Sequence, residues 1–222
     1  MVEKLNNKIK NPIWGIIGSL IALSGFIIAA FGYIGVSGDG YSILNHFVSE
    51  LGISTLTSTS WAFNIGLIIG GIFMLLFIIG ICKLLNTKIG LVIGVISGIN
   101  ATLVGVFPAE PNLLIAHAIV ALTFFFGGML TIFILTIAIL RQGTQIRISK
   151  KTGILGFIVT GIFIVFLTTS FSGDSNFSSF EDILLNRPFI LLPAFFEWLA
   201  VLAIIGWILT MGIYMHIEKV EI

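Results

Sequence analysis

Residues 61–107 read WAFNIGLIIGGIFMLLFIIGICKLLNTKIGLVIGVISGINATLVGVF. Two apolar runs, 61–81 and 89–107, flank a short loop, 82–88, that carries Lys83 and Lys88. Each run is about 20 residues long, which an α-helix needs to cross ~30 Å of hydrocarbon. A loop this short forces the two helices antiparallel. The passage therefore reads as a transmembrane hairpin with a positively charged turn, and positive charge marks the cytoplasmic side.

The same reading extends outward in both directions. Further apolar runs occupy 13–34, 113–140, 152–171 and 189–215. Apolar residues make up 57% of the chain and charged residues 9%, where a soluble domain carries roughly 25% charge. The expected fold is all-α, a six-helix membrane bundle forming one domain over 1–222. Lys4, Lys8, Lys10, Lys83, Lys88, Arg141, Arg147, Lys150, Lys151 and Lys219 account for 10 of the 11 basic residues and all fall on one side. Only Arg187 falls on the other. Both termini are thus expected on the cytoplasmic side of the cell membrane, with the long loops 35–60 and 172–188 outside. The first run, about 22 residues, exceeds a 7–15-residue signal-peptide core and reads as a retained helix. Basic residues outside the cytoplasmic loops form no stripe, so no nucleic-acid partner is expected.

The outer loops carry pattern. In 40–52, Leu44, Phe47, Val48 and Leu51 recur at helical spacing and share one face. Asn45, His46, Ser49 and Glu50 share the other, with Asp39 or Gly40 as a start and Gly52 as a stop. This predicts an amphipathic helix on the outer surface with a solvated polar face. Ser178 and Glu181 have capping-box spacing in the second loop. Ser37-Gly38-Asp39 and Ser172-Gly173-Asp174 form a weak echo after the first and fifth spans. Gly66 and Gly70, and Gly90, Gly94 and Gly98, have the spacing that lets helix backbones approach closely. That serves packing within the chain, with a homodimer face as the alternative.

Polar residues in the spans concentrate in the outer half. At a 1.5 Å rise per residue, Asn64 lies roughly 5 Å from the outer end, His117 roughly 6–8 Å, Asn100 about 10 Å and Glu197 about 12 Å. The inner half holds Ser19, Ser24, Ser97, Thr131, Thr136, Thr160 and Thr210, none of them ionisable. An intramembrane acid is a functional-site candidate by default, which singles out Glu197. The alternative is a structural acid bonded to a neighbouring helix. His117 is the only histidine in a span, and a packing histidine is its plain reading. His46 and Glu50 stand four apart, a spacing that serves a metal, but no recognised metal signature occurs and none is expected. Glu110 before the fourth span suits the positive end of a helix. Arg187 suits a lipid phosphate or a pair with Glu181, Asp182 or Glu197. Cys82 is the only cysteine. No nucleophile elbow, P-loop or dinucleotide fingerprint is present. No cofactor is expected, and the reading leans away from an enzyme.

Ser49-Glu50-Leu51-Gly52, Phe63-Asn64-x-Gly66, Gly105-x-Phe107-Pro108 and His117 occur in that order. Together they resemble the uncharacterised prokaryotic membrane family called domain of unknown function 998. That family is in turn similar to the eukaryotic Frag1/DRAM/Sfk1 six-helix proteins, which are associated with lipid handling. The resemblance implies a lipid-related role and points to Ser49, Glu50, Gly52, Asn64, Phe107, Pro108 and His117. Glu50 stands where many relatives have Asp.

These readings converge on an outward-facing polar pocket that binds or handles a lipid headgroup or small polar ligand. Its candidate ligand residues are Asn64, Asn100, His117, Arg187, Glu197, His46, Ser49 and Glu50, with membrane lipids as the partners. The enzyme alternative is lipid modification, with His117 or Glu197 moving a proton. A solute transporter and a non-catalytic scaffold are the remaining alternatives. Pro108, Pro111, Pro188 and Pro193 all lie near outer helix ends, so no proline breaks a span at the midplane as many transporters require.

Overall fold

The computed structural model describes residues 12–36, 38, 40–143, 148–172 and 180–220, without the side chains of 180 and 181. Lys4, Lys8, Lys10, Arg147, Asp39, the capping pair Ser178 and Glu181, and the Ser-Gly-Asp echo fall wholly or partly outside them. The helices are α1 (Ile13–Phe31), α2 (Ser60–Leu84), α3 (Lys88–Val106), α4 (Leu114–Arg141), α5 (Lys150–Phe171), the short α6 (Phe180–Leu185) and α7 (Leu192–Ile217). All except α6 are long and apolar enough to cross a membrane, and the protein is a multi-pass membrane protein. Helices suit that setting because each satisfies its own backbone polar groups.

Local chemistry sets the boundaries. The Ser149 side chain accepts from the Lys151 amide at the start of α5. Pro193 sits in the first turn of α7, where its missing N–H costs nothing. Between α2 and α3 the chain reverses at Asn86, whose φ is 52°, a conformation Asn tolerates better than most residues.

The six long helices form a ring in sequence order. Each packs on the next, and α7 closes the ring against both α5 and α1. A Cβ on Gly212 in α7 would lie 3.0 Å from the Pro12 carbonyl oxygen. The start of α1 and the end of α7 therefore share one end of the bundle, and the segments 32–59, 107–113 and 186–191 share the opposite, loop-bearing end. Glycine makes the α1–α2 seam: a Cβ at Gly25 would lie 2.5 Å from the Ala62 carbonyl oxygen, and one at Gly18 would lie 2.7 Å from that of Gly70. Gly66, Gly94 and Gly98 also face helices of the same chain. Ile27, Ile69, Ile96 and Ile158 are exposed on the outside of the ring, as lipid-facing residues are. Phe77, Phe163, Ile132, Leu135 and Met211 fill the inside.

The loop-bearing end is a roof of non-helical chain. Tyr33 and Thr57 form an isolated antiparallel bridge, and the Ile34 amide donates to the Leu56 carbonyl at 2.8 Å, closing loop 32–59 on itself. Residues 186–191 cross it, with the Leu191 amide donating to the Leu44 carbonyl at 3.0 Å and Asn45 Nδ2 to that of Pro188 at 2.9 Å. The amphipathic helix expected over 40–52 does not form as such. Residues 43–46 are turns, and only Val48–Gly52 is helical, as a 3₁₀ helix. Its expected solvated face is also reversed: His46 and Glu50 are buried, because 186–191 lies over them and supplies polar partners.

Candidate functional site

Two polar groupings occupy the loop-bearing end. The first centres on Glu50, which is 0% exposed. Arg187 grips its carboxylate with both arms, Nη1 to Oε1 at 2.9 Å and Nη2 to Oε2 at 2.7 Å. Tyr33 Oη donates to Oε2 at 2.9 Å and the Phe47 amide to Oε1 at 2.8 Å. Arg187 Nη1 also donates to the Asn45 carbonyl at 3.0 Å. The planar guanidinium matches a carboxylate in this two-pronged manner. Arg187 therefore pairs with Glu50, an acid not expected for it, and its charge is engaged inside the protein.

Aromatic rings with polar tips surround this pair. Trp198 Nε1 donates to Tyr41 Oη at 2.9 Å, and Tyr41 Oη donates to the Phe47 carbonyl at 2.8 Å. Burial, with Glu50 and Glu197 adding to it, raises the Tyr41 phenol well above its ordinary value, so it stays protonated. His46 lies edge-on to Tyr33, and its Nδ1 is 2.8 Å from Asn45 Oδ1. His46 and Glu50 thus have separate partners, and among the described residues no three metal-ligating side chains converge. Tyr33, Tyr41 and Trp198 were not singled out by the sequence. The available signal was that two of the three tyrosines flank the first outer loop.

The second grouping sits beneath the roof at the top of a cavity of about 90 Å³ enclosed by the helix ring. Ser49, His117 and Glu197 line it at the loop-bearing end. Its remaining length is apolar, including Phe63, Phe124, Val201 and Ile204, and it reaches Ile78, Thr131 and Ile208. From Glu197 to Ile208 along α7 is roughly 16 Å. That approaches half the ~30 Å hydrocarbon thickness, the depth occupied by one leaflet's chains.

Each lining polar group is held from outside the cavity. Glu197, 8% exposed, accepts the Val48 amide at 2.7 Å. It thus caps the 3₁₀ helix from across the chain, so its structural reading has a concrete partner. His117 is 7% exposed, and its Nδ1 lies 2.8 Å from the Phe107 carbonyl oxygen. A carbonyl only accepts, so Nδ1 carries a proton and Nε2 of the neutral ring keeps its lone pair. Phe107 precedes Pro108, which disfavours helical backbone there. The residue lies at φ −114°, ψ 77°, and its carbonyl is left for His117.

The other expected site residues lie elsewhere. Asn64 Nδ2 donates to the Gly52 carbonyl at 3.1 Å, tying α2 to the 3₁₀ helix. Its Oδ1 has no hydrogen-bond partner among the described residues. Asn100 donates to the Ile96 carbonyl at 2.8 Å, one turn back on its own helix, and does not line the cavity. Glu110 does not simply face the start of α4. It accepts both the amide and hydroxyl of Ser54 at 2.7 Å each, joining segment 107–113 to the roof.

A family described as Protein of unknown function (DUF998) matches residues 16–214, and the chain belongs to that family. No curated protein and no solved structure matches it.

Proposed function

We propose that this DUF998 chain binds a lipid headgroup or small polar ligand beneath the roof, with only a short apolar stretch entering the helix ring, whose cavity holds about 90 Å³. The observation that supports this is the shape and polarity of the cavity: a long apolar slot with Ser49, His117 and Glu197 confined to one end. Transport across the membrane would need polar groups along a complete path. Below its roofed end this slot offers two lining hydroxyls, Ser97 and Thr131, and each is bonded to a helix carbonyl, that of Phe124 at 3.0 Å and that of Gly127 at 2.7 Å.

In this reading the roof faces outward and both termini lie in the cytoplasm of the cell membrane. Lys83, Lys88, Arg141, Lys150, Lys151 and Lys219 at the termini end and Arg187 alone at the other support that orientation. The second reading is a scaffold without a ligand. It is favoured by the engagement of Glu50 and Glu197 in holding the roof.

Native mass spectrometry of protein released from membranes separates the two. Gly128 lines the cavity, and a Cβ there meets only ordinary contacts, the nearest at 3.4 Å. Gly128→Leu therefore fills the slot while leaving the roof untouched. A lipid-mass adduct on the wild type, absent from this variant, is the expected result. A wild type that leaves the membrane bare, with an identical variant spectrum, establishes the scaffold.

A further inference from the structure

We infer that the segment 186–191 is seated in the lipid leaflet at the loop-bearing end, with Phe189 and Ile190 as its anchors and that leaflet as its partner. Across 41–53 and 186–192 the exposed residues are Ile43, Asn186, Phe189, Ile190 and Leu192. All but Asn186 are large and apolar, and Phe189 is 81% exposed. Surfaces bathed in water carry such side chains singly, and a contiguous set marks a contact with a membrane or a protein. Arg187, the one charged residue of the segment, is closed on Glu50, so no charge stands among them. The backbone fixes this display. Asn45 Nδ2 donates to the Pro188 carbonyl at 2.9 Å, and the Leu191 amide donates to that of Leu44 at 3.0 Å. Leu191 is buried. Phe189 and Ile190, between these two ties, remain outside.

Their height identifies the partner. Helix α7 begins at Leu192 and has 26 residues, which span roughly 39 Å at a 1.5 Å rise. That exceeds the ~30 Å hydrocarbon core and falls within the ~40–45 Å of a bilayer with its headgroup layers. The start of α7 therefore lies in the headgroup layer, and Phe189 and Ile190 directly precede it. The patch is continuous with the lipid-facing side of α7, where Leu202 and Ile213 are exposed. Apolar side chains at this height bury in the boundary between headgroups and acyl chains. The leaflet then holds the segment from outside while the Arg187–Glu50 pair holds it from within. This seating needs only a membrane-spanning bundle and is independent of what the cavity takes.

Site-directed spin labelling of the full chain tests it. Cys82, the only cysteine, is replaced by Cys82→Ala, and a nitroxide is attached at Phe189→Cys or Ile190→Cys in protein reconstituted in phosphatidylcholine vesicles. Leu202→Cys and Lys219→Cys, exposed on α7 and just beyond it, calibrate hydrocarbon and water. Collision of the nitroxide with oxygen, which concentrates in lipid, is compared with collision with a water-soluble nickel chelate. Both test positions are expected to give an oxygen-to-nickel ratio severalfold above that of Lys219→Cys and toward that of Leu202→Cys. A ratio equal to that of Lys219→Cys at both overturns the seating and leaves the segment in water. Low collision with both reagents means that a second copy of this chain covers the patch, and overturns it as well. The wild type gives an independent reading in vesicles that contain a lipid with a diazirine near its headgroup. Crosslinks within 189–192 are expected, and crosslinks at the exposed Trp61 with none within 189–192 overturn the seating.

Discussion

At the loop-bearing end of the bundle, polar side chains reach across long stretches of chain. Toward the termini, they donate to single backbone carbonyls, on their own helix or on the one packed beside it. Arg187 and Glu50 are 137 positions apart, and Glu197 meets Val48 across 149. Lower down, Thr131 donates to Gly127 and Thr160 to Gly156, each four residues back. Ser19, Ser97 and Trp207 donate to single carbonyls of the helices packed beside them, those of Ile205, Phe124 and Thr152. The difference follows from backbone conformation. A membrane helix satisfies its own N–H and C=O groups, so its hydroxyls need only a local acceptor. The roof has little regular structure, and its buried backbone groups draw carboxylates, a guanidinium and phenols from several elements.

The contrast predicts unequal costs of substitution. The largest belongs to Arg187→Ala, which leaves the Glu50 carboxylate buried without its counter-charge. Breaking such a pair costs about 3–5 kcal/mol, to be read as a lowered unfolding midpoint in detergent. Replacing both partners, as in Arg187→Met with Glu50→Leu, should recover much of that loss. A cost below about 1 kcal/mol for Arg187→Ala, the level of an exposed pair, would break the comparison.

Tyr41→Phe comes next. It leaves Trp198 Nε1 without its acceptor and the Phe47 carbonyl with the Glu50 amide as its remaining donor, at about 1–3 kcal/mol. It also carries a pH signature. Folding raises the Tyr41 phenol above its ordinary 10.0, so its contribution is complete below that value and declines as pH rises past it. The alkaline loss of stability in the wild type should therefore be shallower in Tyr41→Phe. An unchanged alkaline slope would count against the buried phenol.

Thr160→Val gives the smallest effect, within about 0.5 kcal/mol, because its lost bond is to its own helix and leaves only a shared carbonyl. Thermal unfolding of the purified variant checks it. A loss as large as that of Tyr41→Phe would mean the lower half depends on its hydroxyls as the roof does.

The six long helices were legible because apolar length is a local property, and their observed bounds lie within a few residues of the apolar runs. The antiparallel order was legible from loops such as 82–88. The roof was not. Leu44, Phe47, Val48 and Leu51 have helical spacing, yet 43–46 are turns, because 186–191 supplies the partners of Asn45 and covers the segment. Periodicity within 40–52 carries no information about a strand of chain arriving from position 186. The same limit hid the Arg187–Glu50 pair. The acids nearest in sequence to Arg187 were the natural partners to expect, and the true partner lies four spans away. Of the candidate ligands, Ser49, His117 and Glu197 were placed at the right depth, and they do line one cavity. Asn100 has comparable depth but faces elsewhere, since depth constrains position along a helix and leaves rotation about it free.

The long reach of the Arg187–Glu50 pair also has a consequence in time. Glu50 emerges from the ribosome 137 residues before Arg187. At ~5–20 residues per second, its neutralising partner follows roughly 7–27 s later. The ring has no closing helix until the same moment, because α7 follows Arg187 directly. A nascent chain of this protein therefore carries an acid without its counter-charge for more than half of its synthesis. A chain truncated before residue 187 never loses that mark, so full-length and incomplete products differ in a feature that membrane quality control can read.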